Sequence, residues 1–543
     1  MASAVGIPYS RHTQWDGYDA VVIGSGLGGL STAVLLARYG GHRVLVLEQH
    51  YTAGGFTHTF TRGGFEWDVG VHYVGGVLRD DTLLARLWAV VTGGRVRWAS
   101  LGPVYDRIVV RDRVVDLPAG RDAWREALYR AFPAHRAAVD RYTRAVHAAR
   151  KASRWVFLTR GMRRQYARWW APLTWAARRW ARRTTWQVLT QTAATRDPDL
   201  AAVLTGQYGD YGLPPRQSSF LMHALLVHHY WDGAAYPVGG ARTLAASAVA
   251  ELARYGGAVV TRAAVARILL DARGRVRGVR LTNGHEIPAR LVISNVGYAN
   301  TFLRLLPAAH PARERAQTVV RRVGLSAPHL NLYVGLDAPA ETLQVPKYNV
   351  WYYPGPDHDA NLARYLADPE APFPMLFFSS GTARDPDAAR RMPDRATVQV
   401  IAPANWAWFR AWQDTRWGRR GPDYEEVKAR FTERLLDALY TVWPGTRGHV
   451  VHAEMSTPLS TTHFTQHPRG AIYGLAATPP RFWMPDLRPD TSIPGLYLTG
   501  VDVLTPGVAA TLLSGLLTAG VILGRNLIPA IMRDAPAQGA PHG

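Results

Sequence analysis

Apolar residues fall along this chain in two rhythms, short continuous runs and longer stretches at helical spacing, with glycines between them. The run YDAVVI at 18–23 is apolar from Ala20 on and ends in turn residues, which predicts a buried parallel strand. A helix is predicted over 27–39, and RVLVL at 43–47 predicts a second buried strand that ends at Glu48. These three elements make one βαβ unit. The same pattern returns far downstream, with an amphipathic helix over 241–255, a strand at 258–261, a hairpin around 272–274, a turn at Asn283-Gly284 and a strand at 290–294. A strand at 495–499 and an apolar helix over 506–523 complete it. The pattern predicts an α/β nucleotide domain whose pieces are separated by inserted material.

Two stretches bear on membranes. Asp502 and Arg525 bracket 22 uncharged residues, long enough to span a bilayer. Thr505, Pro506, Gly507, Thr511, Ser514, Gly515, Thr518 and Gly520 interrupt that stretch, so a buried core helix is the expectation. Residues 150–183 contain arginines, one lysine and seven aromatic residues but no acid. Trp155, Phe157, Tyr166, Trp169, Trp170, Trp175 and Trp180 suit the headgroup level of a bilayer. Arg163, Arg164, Arg168, Arg178, Arg179, Arg182 and Arg183 suit anionic lipid. Pro172 is expected to split the segment into two helices. The alternative is a solvated arginine-rich hairpin whose tryptophan stripe packs on the core. A disordered tail is expected over 534–543.

With 543 residues, 47% hydrophobic and 19% charged, the chain is globular and of about three to four folding units. The net charge of +22 admits nucleic acid, an anionic membrane surface or an acidic ligand. Only Lys151, Lys347 and Lys428 are lysines, and such an arginine excess also arises from a GC-rich genome. No nucleic-acid-binding motif accompanies the charge, so no nucleic-acid partner is expected. The absence of cysteine excludes disulfides, thiolate metal sites and a thiol nucleophile. The first residues lack a basic stretch followed by an apolar core, which predicts a start in the cytoplasm.

Between the first strand and helix lies GxGxxG on Gly24, Gly26 and Gly29. Its glycines allow a tight turn, backbone approach to a pyrophosphate and close helix–strand packing, and the helix N-terminus adds free N–H groups. Glu48 follows 24 residues after Gly24, at a strand end where a carboxylate can hold ribose hydroxyls. Gly54-Gly55 offers a second close approach, and no second unit of this kind occurs, so FAD suits the pattern better than NAD. At this point EQHYTAGGFTHTFTRGGFEWDVGVHYVGG resembles the retinol saturase branch of the carotenoid isomerase and phytoene desaturase superfamily of flavoproteins. The likeness is densest over 18–76, 236–297 and 495–520. GDYGLPP at 209–215 and YPxGG at 236–240 share it.

The resemblance implies an FAD-binding Rossmann-like domain of the glutathione-reductase and amine-oxidase type at 15–80, 232–300 and 490–530. A mixed α+β substrate domain with a helical membrane-contact segment would occupy 81–231 and 301–489. It also implies that Gly24, Gly26, Gly29 and Glu48 bind the adenosine half of FAD, that Gly54 and Gly55 approach the cofactor, and that the backbone at Val265 contacts adenine. Gly500 and Asp502 would lie near the ribityl and pyrophosphate, and Gly507 and Val508 at the flavin end. Animal retinol saturases carry cysteine in the segment that here reads Phe56-Thr57-His58, so no thiol role transfers.

The implied enzyme saturates or isomerises a double bond of a retinoid or carotenoid through reduced flavin, with NAD(P)H or a quinone as electron partner. His58, His72 and Tyr73 are the candidate catalytic residues, each with a structural role as its alternative. A second cluster, His223, His228, His229 and Tyr230, is a further catalytic candidate, with cavity lining or a structural role as its alternatives. Adjacent histidines diverge on any regular element, so no metal site is expected. Trp351, Tyr352, Tyr353, Trp406, Trp408 and Trp412 either line a substrate tunnel or pack as ordinary core. The expected protein is peripheral on the cytoplasmic side of a membrane. An oxidative desaturase and a non-catalytic flavin-binding membrane module are the alternatives.

Overall fold

The computed structural model describes residues 4–13 and 15–536. Its first sheet is wholly parallel and has six strands, in the spatial order Ile7–Pro8, Ala258–Thr261, Val44–Leu47, Ala20–Ile23, Leu291–Ser294, Leu496–Leu498. The four-residue runs AVVI and VLVL are buried at every position, as both-face coverage of a parallel sheet requires. Helix Leu27–Gly40 packs against both Arg242–Arg254 and Val508–Leu523, and all three share an apolar layer with the sheet. The other face meets the antiparallel sheet Val265–Leu270, Val276–Leu281, Glu286–Pro288 through a second layer. This is a Rossmann-like nucleotide fold assembled from three separated stretches of chain. Ile7–Pro8 adds an edge strand ahead of residue 15, where the sequence places the domain's start. Two exposed residues carry no periodic signal, so the pattern did not reveal them.

The second large sheet has seven strands in the order Val450–Ser456, His329–Leu336, Ala396–Pro403, Leu376–Ser379, Asn349–Tyr353, Val104–Val110, Arg113–Pro118. Only the pair Asn349–Tyr353 with Val104–Val110 is parallel; the rest are antiparallel. Side chains alternate across it. Val350, Leu376, Phe378 and Val400 face the helix Pro422–Val442, whereas Trp351 and Phe377 turn the other way, toward the helices of 121–231. Trp406, Trp408 and Trp412 join the Pro422–Val442 layer beside Tyr365, Phe431 and Tyr424.

Val508–Leu523 is a core helix. Ser31 donates to the Leu512 carbonyl at 3.0 Å, and Thr32 bonds Thr499 at 3.0 Å. Hydroxyls and glycines therefore let its backbone seat against Leu27–Gly40. No single helix among the described residues is long and apolar enough to cross a membrane. Only the pair Val508–Leu523 and Ile528–Asp534, bent by 118°, passes by length and composition. Asp534, expected to open a disordered tail, closes that last helix and accepts from Arg38 at 2.9 Å. Residues 537–543 lie outside the described residues.

The basic segment does not break only at Pro172. The helix Arg136–Arg160 ends at Gly161, and Pro172 sits within the 3-10 turn Arg168–Thr174 before the helix Trp175–Ala181. Arg160, buried, ties the long helix to the carbonyls of Val503 at 2.6 Å and Phe482 at 3.3 Å.

Beneath the last strand Asp502 is a structural anchor. Its carboxylate accepts from the backbone of Tyr298 at 2.7 Å and Leu475 at 2.9 Å, and it faces the fully buried Arg481 guanidinium at 3.7 Å. Arg481 in turn donates to the carbonyls of Leu475 and Val501. Removing one partner leaves a buried charge uncompensated, at a cost of about 3–5 kcal/mol. Asp502→Ala is therefore expected to lower stability by that amount, read as a drop in the denaturant midpoint, and Asp502→Asn by less.

Candidate active site

One cavity runs between the two sheets. Its first end is built of backbone. Gly24, Gly26, Leu27, Gly28, Glu48, Gly54, Gly55, Val265, Gly507 and Val508 all line it. The helices Leu27–Gly40 and Val508–Leu523 both begin there, and neither N-cap glycine offers a side-chain cap. Two sets of free N–H groups and two positive helix ends thus face the same space.

Glu48 is held at this end by Ser25, whose backbone N–H and hydroxyl donate to Oε2 at 2.9 and 2.6 Å, and by the His50 N–H on Oε1 at 2.9 Å. The Ser25 hydroxyl also accepts from the Gly54 N–H at 3.0 Å, which fastens the glycine pair to the first turn. A Cβ on Gly28 would stand 2.7 Å from the Gly500 Cα, so the first and last parts of the domain touch backbone to backbone. Gly29 and Gly500 pack behind the surface, and Asp502 is engaged as described; none of the three lines the cavity.

The other end is apolar and aromatic, with Trp351, Leu362, Met375, Phe377 and Ile401 from the seven-stranded sheet and its flank. Tyr352 faces the Pro422–Val442 layer, and the hydroxyl of Tyr353 is spent on the Gly206 carbonyl at 2.5 Å. Of the six aromatics considered as a tunnel, only Trp351 lines the cavity; Tyr352, Trp406, Trp408 and Trp412 pack in the Pro422–Val442 layer, and Tyr353 is buried behind Trp351.

His58 and His72 both line the cavity, His58 at the cradle end and His72 beside the Phe377 ring at 5.1 Å. His58 contacts the Gly55 carbonyl through Nδ1 at 2.5 Å and lies 4.6 Å from the His50 ring, and burial lowers its pKa. Burial, then the Arg384 guanidinium, pushes His72 down to about 3, so its ring is neutral in ordinary buffers. Tyr73 lies behind the wall, stacked on Tyr230 at 4.3 Å, with its hydroxyl on two carboxyls.

His223 is core, bonded to Tyr142 at 2.6 Å and Tyr211 at 3.0 Å. His229 accepts from the Gly75 N–H at 2.9 Å. Among the described residues no group of three or more His, Cys, Asp or Glu is placed to hold a metal ion.

Sequence reasoning missed Asn295, Asp210, Asp106 and Arg384. Asn295 lines the cavity beside Gly26. Arg384 is buried and donates to the His72 carbonyl at 2.6 Å, the Lys347 carbonyl at 2.6 Å and the Asn349 side chain. Only Asp210 had a signal, as part of the GDYGLPP segment.

The NAD(P)-binding Rossmann-like domain model matches residues 22–89. Over 528 residues the chain is 34% identical to an all-trans-retinol 13,14-reductase of Danio rerio, spanning 94% of this chain and 86% of that protein. The chain belongs to the all-trans-retinol 13,14-reductase family. It is 26% identical to prolycopene isomerase 1 of an Oncidium hybrid cultivar, over 95% of this chain and 86% of the relative. Cyclohexylamine oxidase from Brevibacterium oxydans IH-35A shares the fold, with a TM-score of 0.57 at 16% identity over 95% of this chain and 99% of its own. As a member of the reductase family the chain is an enzyme, an oxidoreductase.

The backbone end generates two expectations. In Gly26→Val the new side chain would start 2.8 Å from the Asn295 amide and project into the cradle, so dinucleotide uptake is expected to be lost. Glu48→Gln removes a charged acceptor worth about 1.5–3 kcal/mol and is expected to raise Kd by about tenfold or more. Cofactor titration of the purified variants, followed by visible absorbance, checks both.

Proposed function

We propose that this enzyme uses FAD to saturate or isomerise a carbon–carbon double bond of a polyene lipid, of the retinoid or carotenoid class. The observation that carries the reading is one continuous cavity, with a backbone cradle at one end and an aromatic, apolar wall at the other. The residues present suit FAD. Glu48 is placed for ribose hydroxyls, the N–H groups at Gly26 to Gly28 for a pyrophosphate, and Val265 for the adenine side. Gly507 and Val508, at the second free helix end, suit the ring end. When bound and reduced, FAD supplies a hydride for the double bond.

The chain's own residues do the rest. The apolar wall excludes water and takes a long unsaturated chain without hydrogen-bond demands. The neutral His72 ring keeps positive charge off that wall. Electrons come from NAD(P)H passing transiently at the flavin face or from a quinone. The resemblance to prolycopene isomerase supports the redox-neutral version, and a desaturase would run the same site in the oxidative direction.

We also propose a peripheral membrane contact through the basic segment, on the cytoplasmic side. Trp169 is 73% and Trp175 67% exposed, beside exposed Tyr166, Trp170 and Leu173. Apolar residues of this size gathered on one face, among exposed arginines 163, 164 and 168, suit an anionic lipid surface. Trp155, Phe157 and Trp180 are only partly exposed, and Trp180 packs on the core, so the contact rests on the middle of the segment.

The deciding experiment is anaerobic reduction of the purified flavoprotein followed by all-trans-retinol or a cis-carotenoid in detergent, with product mass and retention measured. A gain of two hydrogens establishes a saturase, and unchanged mass with altered retention an isomerase. No conversion by reduced enzyme, with conversion by oxidised enzyme and a quinone, identifies a desaturase. For the membrane, replacing Arg163, Arg164 and Arg168 by Gln is expected to weaken binding to anionic vesicles about a hundredfold, at ~1 kcal/mol per arginine. Vesicle sedimentation reads this, and unchanged binding removes the segment from the interface.

A further inference from the structure

Two acids line the cavity among the described residues, Glu48 at the cradle end and Asp210 at the apolar end. Asp210 follows the 3-10 turn's Tyr208 and Gly209, which line the cavity with it, and its carboxyl is part of a buried cluster. The Tyr73 hydroxyl stands 2.9 Å from Asp210 Oδ2 and 3.1 Å from Asp106 Oδ2. A phenol has one proton, so it can donate to only one of these carboxyls. The other contact is a hydrogen bond only if that carboxyl is protonated and donates to the phenol oxygen.

The remaining partners decide which acid carries the proton. Asp106, fully buried, also accepts from Asn349 Nδ2 at 2.9 Å on one oxygen and Gln207 Nε2 at 2.7 Å on the other. Arg384 binds the Asn349 side-chain oxygen, which turns its amide nitrogen toward Asp106. Burial raises the Asp106 pKa to about 7 even as these donors, which favour its charged form, pull it down. Asp210 has Tyr73 as its one side-chain hydrogen-bond partner among the described residues, and it is the member that faces the cavity. Burial, then the neighbouring Asp106, raises its pKa well above the usual carboxylate range.

We propose that Asp210 is the catalytic acid that protonates the substrate double bond, with Tyr73 and Asp106 as the residues that position it. The proposal rests on the flavin-dependent reduction argued above. One alkene carbon receives a hydride, as two electrons and a proton, from the reduced flavin. The π electrons then form the second C–H bond with the Asp210 proton. The substrate is reduced by two electrons, the flavin is oxidised by two, and Asp210 is left as a carboxylate. The Tyr73 hydroxyl can turn to donate to that carboxylate, and solvent entering as product leaves restores its proton. His72, held neutral, is the poorer acid at the same wall.

Asp210→Asn keeps the side chain's shape and removes the acid. Single-turnover mixing of dithionite-reduced enzyme with all-trans-retinol, or with a cis-carotenoid, is expected to show saturation slowed about a hundredfold or more, the span of general acid catalysis. Flavin occupancy and the dithionite reduction rate are expected to match wild type, and Asp210→Glu to recover part of the rate. Infrared spectra of the flavin-free proteins at neutral pH supply a second readout. The wild type minus Asp210→Asn difference should contain a protonated-carboxyl band, and its absence overturns the assignment. Saturation by Asp210→Asn within threefold of wild type overturns it as well. If Asp210→Asn does not take up flavin, Asp210→Glu and the infrared difference for Tyr73→Phe carry the test, and an unchanged carboxyl band in the latter counts against the cluster. Failure of wild type itself to saturate any polyene defeats the functional reading instead.

Discussion

The active site depends on a backbone contact, the approach of Gly28 to Gly500. The first residues of the Leu27–Gly40 helix and the turn after the last strand can lie this close only because neither carries a side chain. The contact continues outward, with Ser31 bonded to Leu512, Thr32 to Thr499, and Gly515 set against Ser31. Small and hydroxyl-bearing residues let two helices from opposite ends of the chain run side by side. Their N-termini are thereby brought to one cavity, which a single βαβ unit cannot do. The lack of side-chain caps at both ends is consistent with a fold that keeps those N–H groups for a ligand.

The second determinant is how the protein distributes charge where the wall turns apolar. An isolated charge in such surroundings is expensive, so it is either neutralised or fully bonded. His72, His329 and His50 follow the first course, with pKa values pushed down to about 3, 4 and 4 by burial. Arg384 follows the second: buried, it donates to carbonyls and to Asn349 and so remains bonded. Asp106 collects three donors, which leaves Asp210 as the cavity-facing acid with the least support for a negative charge. A proton is most available for transfer where the charge left behind can be stabilised but is not stabilised beforehand.

How much of this was legible in the sequence follows from the range of the interactions. The strands at 20–23, 44–47, 258–261 and 291–294 are runs of consecutive apolar residues whose burial is decided locally, and they were legible to within two residues. The GxGxxG turn and Glu48 were legible because their spacing reflects one βαβ unit. The seven-stranded sheet was not, since it joins residues 104–118 to 329–456 and no local pattern encodes that pairing. Asp106 reads in sequence as an ordinary acid and Asp210 only as part of the GDYGLPP segment, because what pairs them is one shared phenol from residue 73. The tryptophans at 406, 408 and 412 look like Trp351 until the sheet assigns them to its other face.

The same limit explains the basic segment. Its composition is equally suited to a lipid surface and to a solvated hairpin, and only packing divides its aromatics. Ala152, Val156, Ala177 and the partly buried Trp180 form a small cluster that joins the two arms of the hairpin, and Trp180 also packs on the main core. Arg160 fastens the hairpin to the turn after Leu496–Leu498, close to the start of Val508–Leu523. A rigid attachment on one side and Trp169 and Trp175 left outside on the other is costly for a protein surrounded by water, since large apolar groups are ordinarily turned inward. The cost is offset if that face rests on lipid. The segment would then hold the enzyme at the layer in which a polyene dissolves, with the helix Val508–Leu523 anchored directly behind it.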